Sequence, residues 1–337
     1  MKFNFIFVCL ESGLYRYAYN QLNELKNVYF DMDFPNNRFM SLIQRVHCSV
    51  KLNSIIRLPF KDVWIKKRIT LYKKQITKFD NPNAELCFVL FADCLYLERI
   101  HFSELLKDSF PNCRIVYYFQ DLVDKDINKK RLIENPNPYV DLIYSFDLGD
   151  AKKYNLEFYD IPYSDLHSLF IETSPKYDVI FCGRAKERLN EIIQVYDALE
   201  GEEINCAFYI VGVDSNNQIS RTGIHYTKAI DYREYLNMVN SSRCILEIVQ
   251  KGGVGNTIRV CEARALGKKL LSNNNNLLNN KLYDKNNMKV YESIYDLAGI
   301  KPFIFESGKL YEDNEKMYPK SFLIEIERRL LDDKKDI

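Results

Sequence analysis

Short runs of apolar, aromatic and β-branched residues alternate along this chain with longer segments of helical period, and no other feature constrains the fold as strongly. Parallel strands that are buried on both faces have near-continuous apolar runs, and helices between them indicate βαβ units. The pattern predicts strands at Phe3–Leu10, Ser54–Leu58, Leu86–Ala92, Cys113–Phe119 and Val140–Ser145, then at Asp178–Cys182, Ile204–Val211, Cys244–Val249, Lys269–Ser272 and Met288–Tyr291. The sequence therefore predicts an α/β fold with two successive parallel sheets.

The stretch Phe158–Lys176, which contains Pro162 and Pro175 and has no sustained period, separates the two sets of strands. A length of 337 residues suits two domains of ordinary size. We predict an N-terminal Rossmann-like domain (1–160), a linker (161–177), a C-terminal Rossmann-like domain (178–318), and a terminal helix and tail (319–337) that packs back on the body. Two such domains are expected to face each other across a cleft, with ligands in loops at the carboxyl ends of strands.

Charge and cysteine content exclude several classes of protein. The 47 basic and 46 acidic residues leave a net charge of +1, so the composition predicts no nucleic-acid partner. The nine cysteines include no CxxC pair, and the four histidines lack metal-ligand spacing, so we predict reduced thiols, no metal site and a cytoplasmic location. The apolar run Phe3–Leu10 is too short for a signal peptide or a membrane span.

The segment Arg243–Gly267 carries the strongest local motif, in which a strand leads into a glycine-rich turn and then a helix. Glycines at 252, 253 and 255 (Gly252, Gly253, Gly255) allow backbone N–H groups to approach an anion, and the helix N-terminus favours negative charge there. Arg259 is a candidate phosphate ligand, and Glu262 a candidate acceptor for two ribose hydroxyls. The alternative is a plain glycine turn beside a solvated Arg–Glu pair. Neither the dinucleotide fingerprint nor a P-loop is present.

A second loop, Phe181–Arg188, also follows a strand and opens a helix. Gly183 and Arg184 are candidates for supplying a cation beside the phosphates, and a tight turn with solvated charges is the alternative. Tyr226 is a candidate to stack on a nucleobase, although core packing explains a single tyrosine equally well.

These residues resemble bacterial glycosyltransferases of the two-domain GT-B type, in particular those of polysaccharide and lipopolysaccharide biosynthesis. The likeness lies in two blocks, Tyr117–Tyr154 and Asp178–Asn273, which include FCGR, YLNMVNSSRCILEIVQ, the glycine loop, EARALGKKL and SNN. The resemblance implies a nucleotide-sugar donor on the C-terminal domain, an acceptor on the N-terminal domain, and transfer without an essential metal or cofactor. The implied donor residues are Gly183, Arg184, Gly253, Gly255, Asn256, Thr257, Arg259 and Glu262.

The chain departs from the family at one position. Many retaining members have a glutamate eight residues before the ribose-binding one, where this chain has Val254, and the difference favours an inverting mechanism. Inversion needs one base near the acceptor hydroxyl, at the carboxyl end of an N-terminal strand. The candidates, in order, are Asp121, Asp93 and Glu11. For each, the alternative is a carboxylate that caps a helix.

Two further features are open to more than one interpretation. Asp31-Met-Asp33 has the DxD spacing of metal-dependent glycosyltransferases of another fold, but it occurs too early in the chain for that role. The segment Trp64–Phe79 is predicted to be a basic amphipathic helix. Either its apolar side chains pack in the core and its lysines face solvent, or the helix contacts an anionic membrane.

The sequence thus predicts a glycosyltransferase that moves a sugar to a hydroxyl of a glycan or glycolipid during surface polysaccharide, lipopolysaccharide or capsule synthesis. Its partners would be the donor, a glycan or lipid-linked acceptor, and the inner face of the cell membrane. A nucleotide-sugar epimerase of the same architecture and a non-catalytic nucleotide-sugar-binding or scaffold protein remain alternatives.

Overall fold

The computed structural model describes residues 1–9, 12–32, 38–47, 49, 52, 56, 59–60, 62–171, 173–249, 256–306 and 308–332. Its contacts divide the chain into two compact units. The first unit comprises Met1–Tyr15, Tyr19–Asp160 and the helix from Pro319, and the second comprises Arg16–Ala18 and Ile161–Tyr318. Each unit contains a sheet of six parallel strands. The predicted linker, residues 161–177, groups with the second unit.

The elements alternate as the sequence predicts. The strands are β1 (Phe3–Val8), β2 (Val28–Asp31), β3 (Glu85–Phe91), β4 (Arg114–Phe119), β5 (Leu142–Ser145), β6 (Glu157–Phe158), β7 (Tyr177–Arg184), β8 (Cys206–Val211), β9 (Ile224–Thr227), β10 (Ser242–Glu247), β11 (Lys269–Ser272) and β12 (Met288–Val290). The α-helices are α1 (Gly13–Ala18), α2 (Arg38–His47), α3 (Asp62–Ile76), α4 (Phe102–Ser109), α5 (Ile127–Glu134), α6 (Leu148–Tyr154), α7 (Leu189–Gly201), α8 (Tyr232–Asn240), α9 (Ile258–Ala265), α10 (Lys301–Phe305) and α11 (Pro319–Asp332).

The first sheet has the strand order β2-β1-β3-β4-β5-β6. Every residue of β1 is buried, and β3 and β4 are buried after their first residue, which explains their continuous apolar sequences. Helix α3 covers this sheet with Ile65, Ile69 and Tyr72. The strand order changes direction between β1 and β3, and ligands of open α/β sheets bind at such a switch point.

The second sheet has the order β12-β11-β10-β7-β8-β9, the arrangement of a Rossmann fold, with its switch point between β7 and β10. Register pairs Cys244 of β10 with Val179 of β7, and Val179 with Cys206 of β8. All three side chains belong to the core of this unit. The loops after β7 and β10 are therefore the expected ligand-binding loops of the second unit.

The C-terminal helix packs on the first unit. Phe322 of α11 lies with its ring centroid 4.7–5.5 Å from the rings of Tyr118, Tyr144 and Tyr159. These aromatic contacts fix the helix against the carboxyl half of the first sheet. The prediction that the terminal helix returns to the body is confirmed.

Nine of the ten predicted strands are present with ends shifted by a few residues, and the tenth, Ser54–Leu58, lies almost entirely outside the described residues. The sequence prediction missed β2, β6 and β9. They have four, two and four residues. All three are edge strands: β2 and β6 are the edges of the first sheet, and β9 and β12 are the edges of the second. Half-buried edge strands carry a weak apolar pattern because one side faces solvent.

Asp31, the first residue of the DxD spacing, ends β2 and is buried. Its Oδ2 accepts hydrogen bonds from the guanidinium of Arg68 and from the hydroxyl of Tyr72, both on α3. Asp33 lies outside the described residues. Asp31 therefore anchors α3 to the sheet, because a buried carboxylate needs this kind of charged and hydrogen-bonded partner.

The eight cysteines in the described part of the chain are free thiols, and all except the half-buried Cys182 are buried. No group of three or more potential metal-ligating side chains occurs among the described residues. Within the same residues, no helix has both the length and the apolar character needed to cross a bilayer.

Candidate functional site

The carboxyl edge of the second sheet collects most of the predicted donor residues. Strand β7 ends at Arg184 and β10 ends at Glu247, and these neighbouring strands flank the switch point. Three predicted residues, Gly252, Gly253 and Gly255, lie outside the described residues.

Thr257 begins helix α9. Its side-chain oxygen accepts a hydrogen bond from the N–H of Arg259 at 3.2 Å, which is an N-cap interaction. Its neighbour Asn256 is almost fully buried. The turn into α9 is thus fixed by side chains at the point where the sequence predicts a phosphate.

Glu247 is a buried carboxylate directly behind this turn, and the sequence prediction missed it. It accepts hydrogen bonds from the hydroxyls of Thr257 and of Ser272, the last residue of β11. Burial raises the pKa of Glu247, and the two hydroxyl hydrogen bonds oppose that rise in part. A lone acidic residue at the end of an apolar strand, just before a glycine loop, is the signal that would have identified it.

Arg259 and Glu262, three residues apart on α9, pair with each other. An Arg259 guanidinium nitrogen lies 2.5 Å from Glu262 Oε2, and the other donates to the carbonyl of Cys182 at 2.9 Å. Burial acts to lower the pKa of Arg259, but the charge and hydrogen bond of Glu262, together with Tyr235 and Cys182, raise it well above the ordinary value. The guanidinium stacks 4.3 Å from the ring centroid of Tyr235.

Two tyrosines of α8 complete the environment of Glu262. The hydroxyl of Tyr232 donates to Oε1 at 2.6 Å, and the hydroxyl of Tyr235 donates to Oε2 at 2.7 Å. The hydroxyls of Tyr232 and Tyr163 are also hydrogen-bonded to each other, at 2.8 Å. Burial raises the pKa of both α8 tyrosines, so each stays a neutral donor. Glu262 has no solvent exposure, and both of its oxygens are engaged.

A further cation, Arg188, lies at the same edge and was not among the predicted site residues. Its guanidinium donates to the carbonyl of Arg184, which ends β7, and to the carbonyl of Ile248, which follows β10. Burial lowers its pKa. Among the described residues no carboxylate is within ion-pair distance of Arg188. Gly183 lies inside β7, opposite Ile210, so it is a strand residue and not part of a tight turn.

Tyr226 lies on the edge strand β9. Its hydroxyl accepts from the N–H of Ile219 at 2.8 Å and donates to the carbonyl of the same residue at 3.0 Å. The ring packs against the core of the second unit. These contacts account for the residue structurally, and a role in base stacking stays a prediction.

The predicted bases lie on the first unit. Asp93 is half-buried in a 3-10 helix that follows β3, at the switch point of that sheet. Burial raises the pKa of the neighbouring Tyr15, and the Asp93 carboxylate raises it further. Glu11, which follows β1 on the other side of the switch point, lies outside the described residues.

Asp121 follows β4, one strand away from that switch point, and is exposed. Its Oδ1 accepts from the N–H of Leu122 at 3.2 Å, and its carbonyl accepts from the ammonium of Lys129 at 2.9 Å. Lys129 is almost fully buried, and burial lowers its pKa. The sequence prediction did not identify this lysine.

A cavity of about 540 Å³ lies at the opposite edge of the second sheet. Its lining includes Asn240, which ends α8 just before β10, and Lys268, which precedes β11. Both positions mark the amino ends of strands. The cavity is therefore separate from the loops after β7 and β10.

No family model matches the sequence, and no curated protein matches it. Solved structures do resemble it. An alpha-glucosyltransferase in complex with UDP and a 13-mer DNA containing a central A:G mismatch is 11% identical, with 97% of this chain and 99% of that chain covered and a TM-score of 0.56. An alpha-glucosyltransferase (AGT) in complex with UDP is 12% identical, with 79% and 84% covered and a TM-score of 0.51. Likeness at this identity shows the fold alone, and it confirms the predicted GT-B fold.

Proposed function

We propose that this protein is a glycosyltransferase, which transfers a sugar from a nucleotide-sugar donor to a hydroxyl of a glycan or glycolipid acceptor. One observation carries the proposal. At the switch point of a Rossmann-like sheet, Arg184 and Arg188 lie where β7 ends, next to the end of β10, after which the sequence continues into the glycine-rich segment. Arg188 has no carboxylate within ion-pair distance in the described structure. This arrangement suits a diphosphate, which needs both backbone N–H groups and cations.

The donor would bind with its diphosphate on the backbone of residues 252–257 and on Arg184 and Arg188. Its pentose would face Glu262. Each carboxylate oxygen has two lone pairs, and Oε2 already accepts from Tyr235 and Arg259. Oε1 accepts from Tyr232 alone, so it has acceptor capacity for one sugar hydroxyl. Both solved relatives described above are complexes with UDP, so a uridine nucleotide is the first donor to test.

In the proposed reaction, a carboxylate base takes the proton of the acceptor hydroxyl, and the oxygen attacks the anomeric carbon. The bond from that carbon to the diphosphate oxygen breaks, and the diphosphate leaves with the electron pair. Charge then builds on the leaving group, where fixed N–H dipoles and the two arginines stabilise it. We propose inversion at the anomeric carbon and no requirement for a divalent metal.

The base remains to be assigned among Asp93, Asp121 and Glu11. Position at the switch point of the first sheet supports Asp93, since ligands of open sheets bind there. Glu11 follows β1 in the sequence. Asp93 is also half-buried next to Tyr15, so it is partly shielded from solvent. Asp121 is exposed, and its backbone carbonyl accepts a hydrogen bond from the ammonium of Lys129.

We further propose that the enzyme acts in the cytoplasm of a bacterium, in lipopolysaccharide, capsule or other surface polysaccharide synthesis, in contact with the inner face of the cell membrane. The sequence resemblance supports this setting. It predicts that the preferred acceptor is a glycan or glycolipid and that added DNA does not serve as one.

Thermal unfolding in the presence of UDP, GDP, CMP and dTDP tests donor binding. A nucleotide that binds the native state increases its free energy of unfolding by mass action, by about 4 kcal/mol at a thousandfold excess over Kd. The unfolding midpoint rises as a result. We expect one diphosphate to stabilise the wild type and to have less effect on Arg188→Met, while Arg233→Met, an exposed arginine on α8, serves as the matched control. A flat response to all four nucleotides would overturn the proposal.

Nucleotide release from the matching nucleotide-sugar, with and without an acceptor extract, tests the reaction. We expect acceptor-dependent release that survives chelation of metals and falls by about 100-fold or more when the true base is replaced by its amide. Asp108→Asn, an exposed carboxylate on α4, is the control for Asp93→Asn, Asp121→Asn and Glu11→Gln. Acceptor-independent conversion of the sugar would indicate an epimerase, and binding without turnover a scaffold.

A further inference from the structure

Helix α2 presents its apolar side to solvent. Phe39, Leu42, Ile43 and Val46 are 67%, 59%, 38% and 45% exposed. Their spacing of i, i+3, i+4 and i+7 places them on one face of the helix. A surface helix of a globular protein normally turns such a face towards the core. This face is therefore the unusual feature of the first unit.

The side of α2 that faces the protein carries polar side chains. Gln44 is only 4% exposed. His47, at the end of the helix, accepts a hydrogen bond of 2.9 Å through Nδ1 from the indole N–H of Trp64 on α3. This bond fixes the rotation of α2 on α3 and directs the apolar face outward.

Positive charge is concentrated in the same part of the chain. Eleven of the 47 lysine and arginine residues lie between Arg38 and Lys78, but only one of the 46 acidic residues, Asp62, does. On α3, exposed lysines recur at i, i+1, i+7 and i+8, which is one helix face, and they are Lys66, Lys67, Lys73 and Lys74. The rest of the chain is acidic, since the whole protein has a net charge of only +1.

The lysine face begins next to the contact between the two helices. The ammonium of Lys67 lies 5.4 Å from the ring centroid of Trp64, the residue that hydrogen-bonds to His47. The apolar side of α3 itself is used inside the unit, because Ile65, Ile69 and Tyr72 are in its core. Helix α3 can thus supply charge to a partner, and α2 supplies apolar side chains.

We propose that the surface formed by the apolar face of α2 and the lysine face of α3 docks on an anionic lipid bilayer. Phe39 and Leu42 would enter the interface between headgroups and acyl chains, and the lysines would contact anionic headgroups. Charge complementarity favours this occupant over a second copy of the chain, which would place the same positive surface against itself. The apolar face favours lipid over nucleic acid, because a phosphate backbone removes no apolar surface from water.

Flotation of the full chain with vesicles tests the proposal. We expect the wild type to bind vesicles of phosphatidylcholine with phosphatidylglycerol, to bind pure phosphatidylcholine far more weakly, and to lose affinity at high salt. Lys73→Glu with Lys74→Glu should reduce the partition coefficient by at least about 25-fold, since each lysine near an anionic surface contributes about fivefold. Phe39→Gln with Leu42→Gln should reduce it by at least about tenfold.

Leu310→Gln, at a side chain in the second unit that is 91% exposed, and Lys320→Glu, an exposed lysine of α11, are the matched controls and should bind as the wild type does. Circular dichroism and the unfolding midpoint establish that each variant is folded. Equal binding to both kinds of vesicle, or wild-type binding by Phe39→Gln with Leu42→Gln, would overturn the proposal.

Two other occupants are outcomes that would also overturn it. The first is a dimer by light scattering that the apolar variant converts to a monomer. The second is binding of a DNA duplex that depends on the lysines, without vesicle binding. The assay contains no nucleotide, so a protein that floats but never responds to a nucleotide would refute only the glycosyltransferase function.

Discussion

Replacing Glu262 by glutamine removes the charge of a carboxylate that is fully buried and leaves its shape almost unchanged. The carboxylate accepts from Tyr232 at 2.6 Å and from Tyr235 at 2.7 Å, and it pairs with Arg259 at 2.5 Å. After the substitution, the Arg259 guanidinium has no charged partner, and the glutamine NH₂ group faces a donor on at least one side. We therefore expect a large loss of stability.

The size of the loss follows from the burial of the pair. Removal of one partner of a buried ion pair costs about 3–5 kcal/mol. The Arg259 side chain is 22% exposed and keeps its bond to the Cys182 carbonyl, so we expect the lower end, about 3 kcal/mol. For a unit of this size, that corresponds to a midpoint lower by roughly 6–12 °C.

Urea and thermal unfolding of Glu262→Gln measure this loss directly. Glu234→Gln, an exposed glutamate on α8, is the control and should change the free energy of unfolding by no more than about 0.5 kcal/mol. The double variant of Glu262→Gln and Arg259→Met should lose less than the sum of the single losses, because neither charge is left unpaired. A Glu262→Gln variant as stable as the control would refute the buried pair.

Two other substitutions test the edge of the second sheet. Because burial raises the pKa of Glu247 above the ordinary 4.5, the native state favours the protonated form, so wild-type stability is lost as the pH rises through the folded pKa. We expect the unfolding free energy of Glu247→Gln to fall less than that of the wild type between about pH 5 and pH 8, and parallel curves would contradict this. Arg188→Met should weaken the binding of a nucleoside diphosphate by about 10-fold to 150-fold in calorimetry, the worth of a hydrogen bond to a charged group. An unchanged Kd would remove Arg188 from the donor site.

The sequence was sufficient to predict the interior of both sheets. Strands such as β1 and β4 are buried along almost their whole length, so their residues are apolar at every position. The edge strands β6 and β9 were missed, because one or both of their sides face solvent and their sequences carry no clear period.

One of the two sequence interpretations of Arg259 and Glu262 was an ion pair, although a solvated one, and in the structure the pair forms with Glu262 buried. Spacing along α9 placed Arg259 and Glu262 on neighbouring faces, as their contact requires. It could not show that Tyr232 and Tyr235 approach Glu262 from α8, because that contact is set by the packing of one helix on another. The same is true of Arg188, because its guanidinium donates to the carbonyl of Ile248, which lies 60 residues further along the chain.

The outward apolar face of α2 was hidden for a related reason. Its spacing is that of any amphipathic helix, and spacing alone predicts that such a face turns inward. The hydrogen bond between His47 and Trp64 fixes the opposite rotation, and it depends on the tertiary position of α3.

Hydrogen exchange measured with and without the stabilising nucleotide locates the ligand on the chain and so tests whether the carboxyl end of the second sheet binds it. We expect slower exchange in peptides that cover residues 183–190 and 248–262 of the second unit, with no change in helix α2. Protection confined to residues 308–318, beside the cavity at the opposite edge of the sheet, would contradict it, and so would exchange that is identical in every peptide.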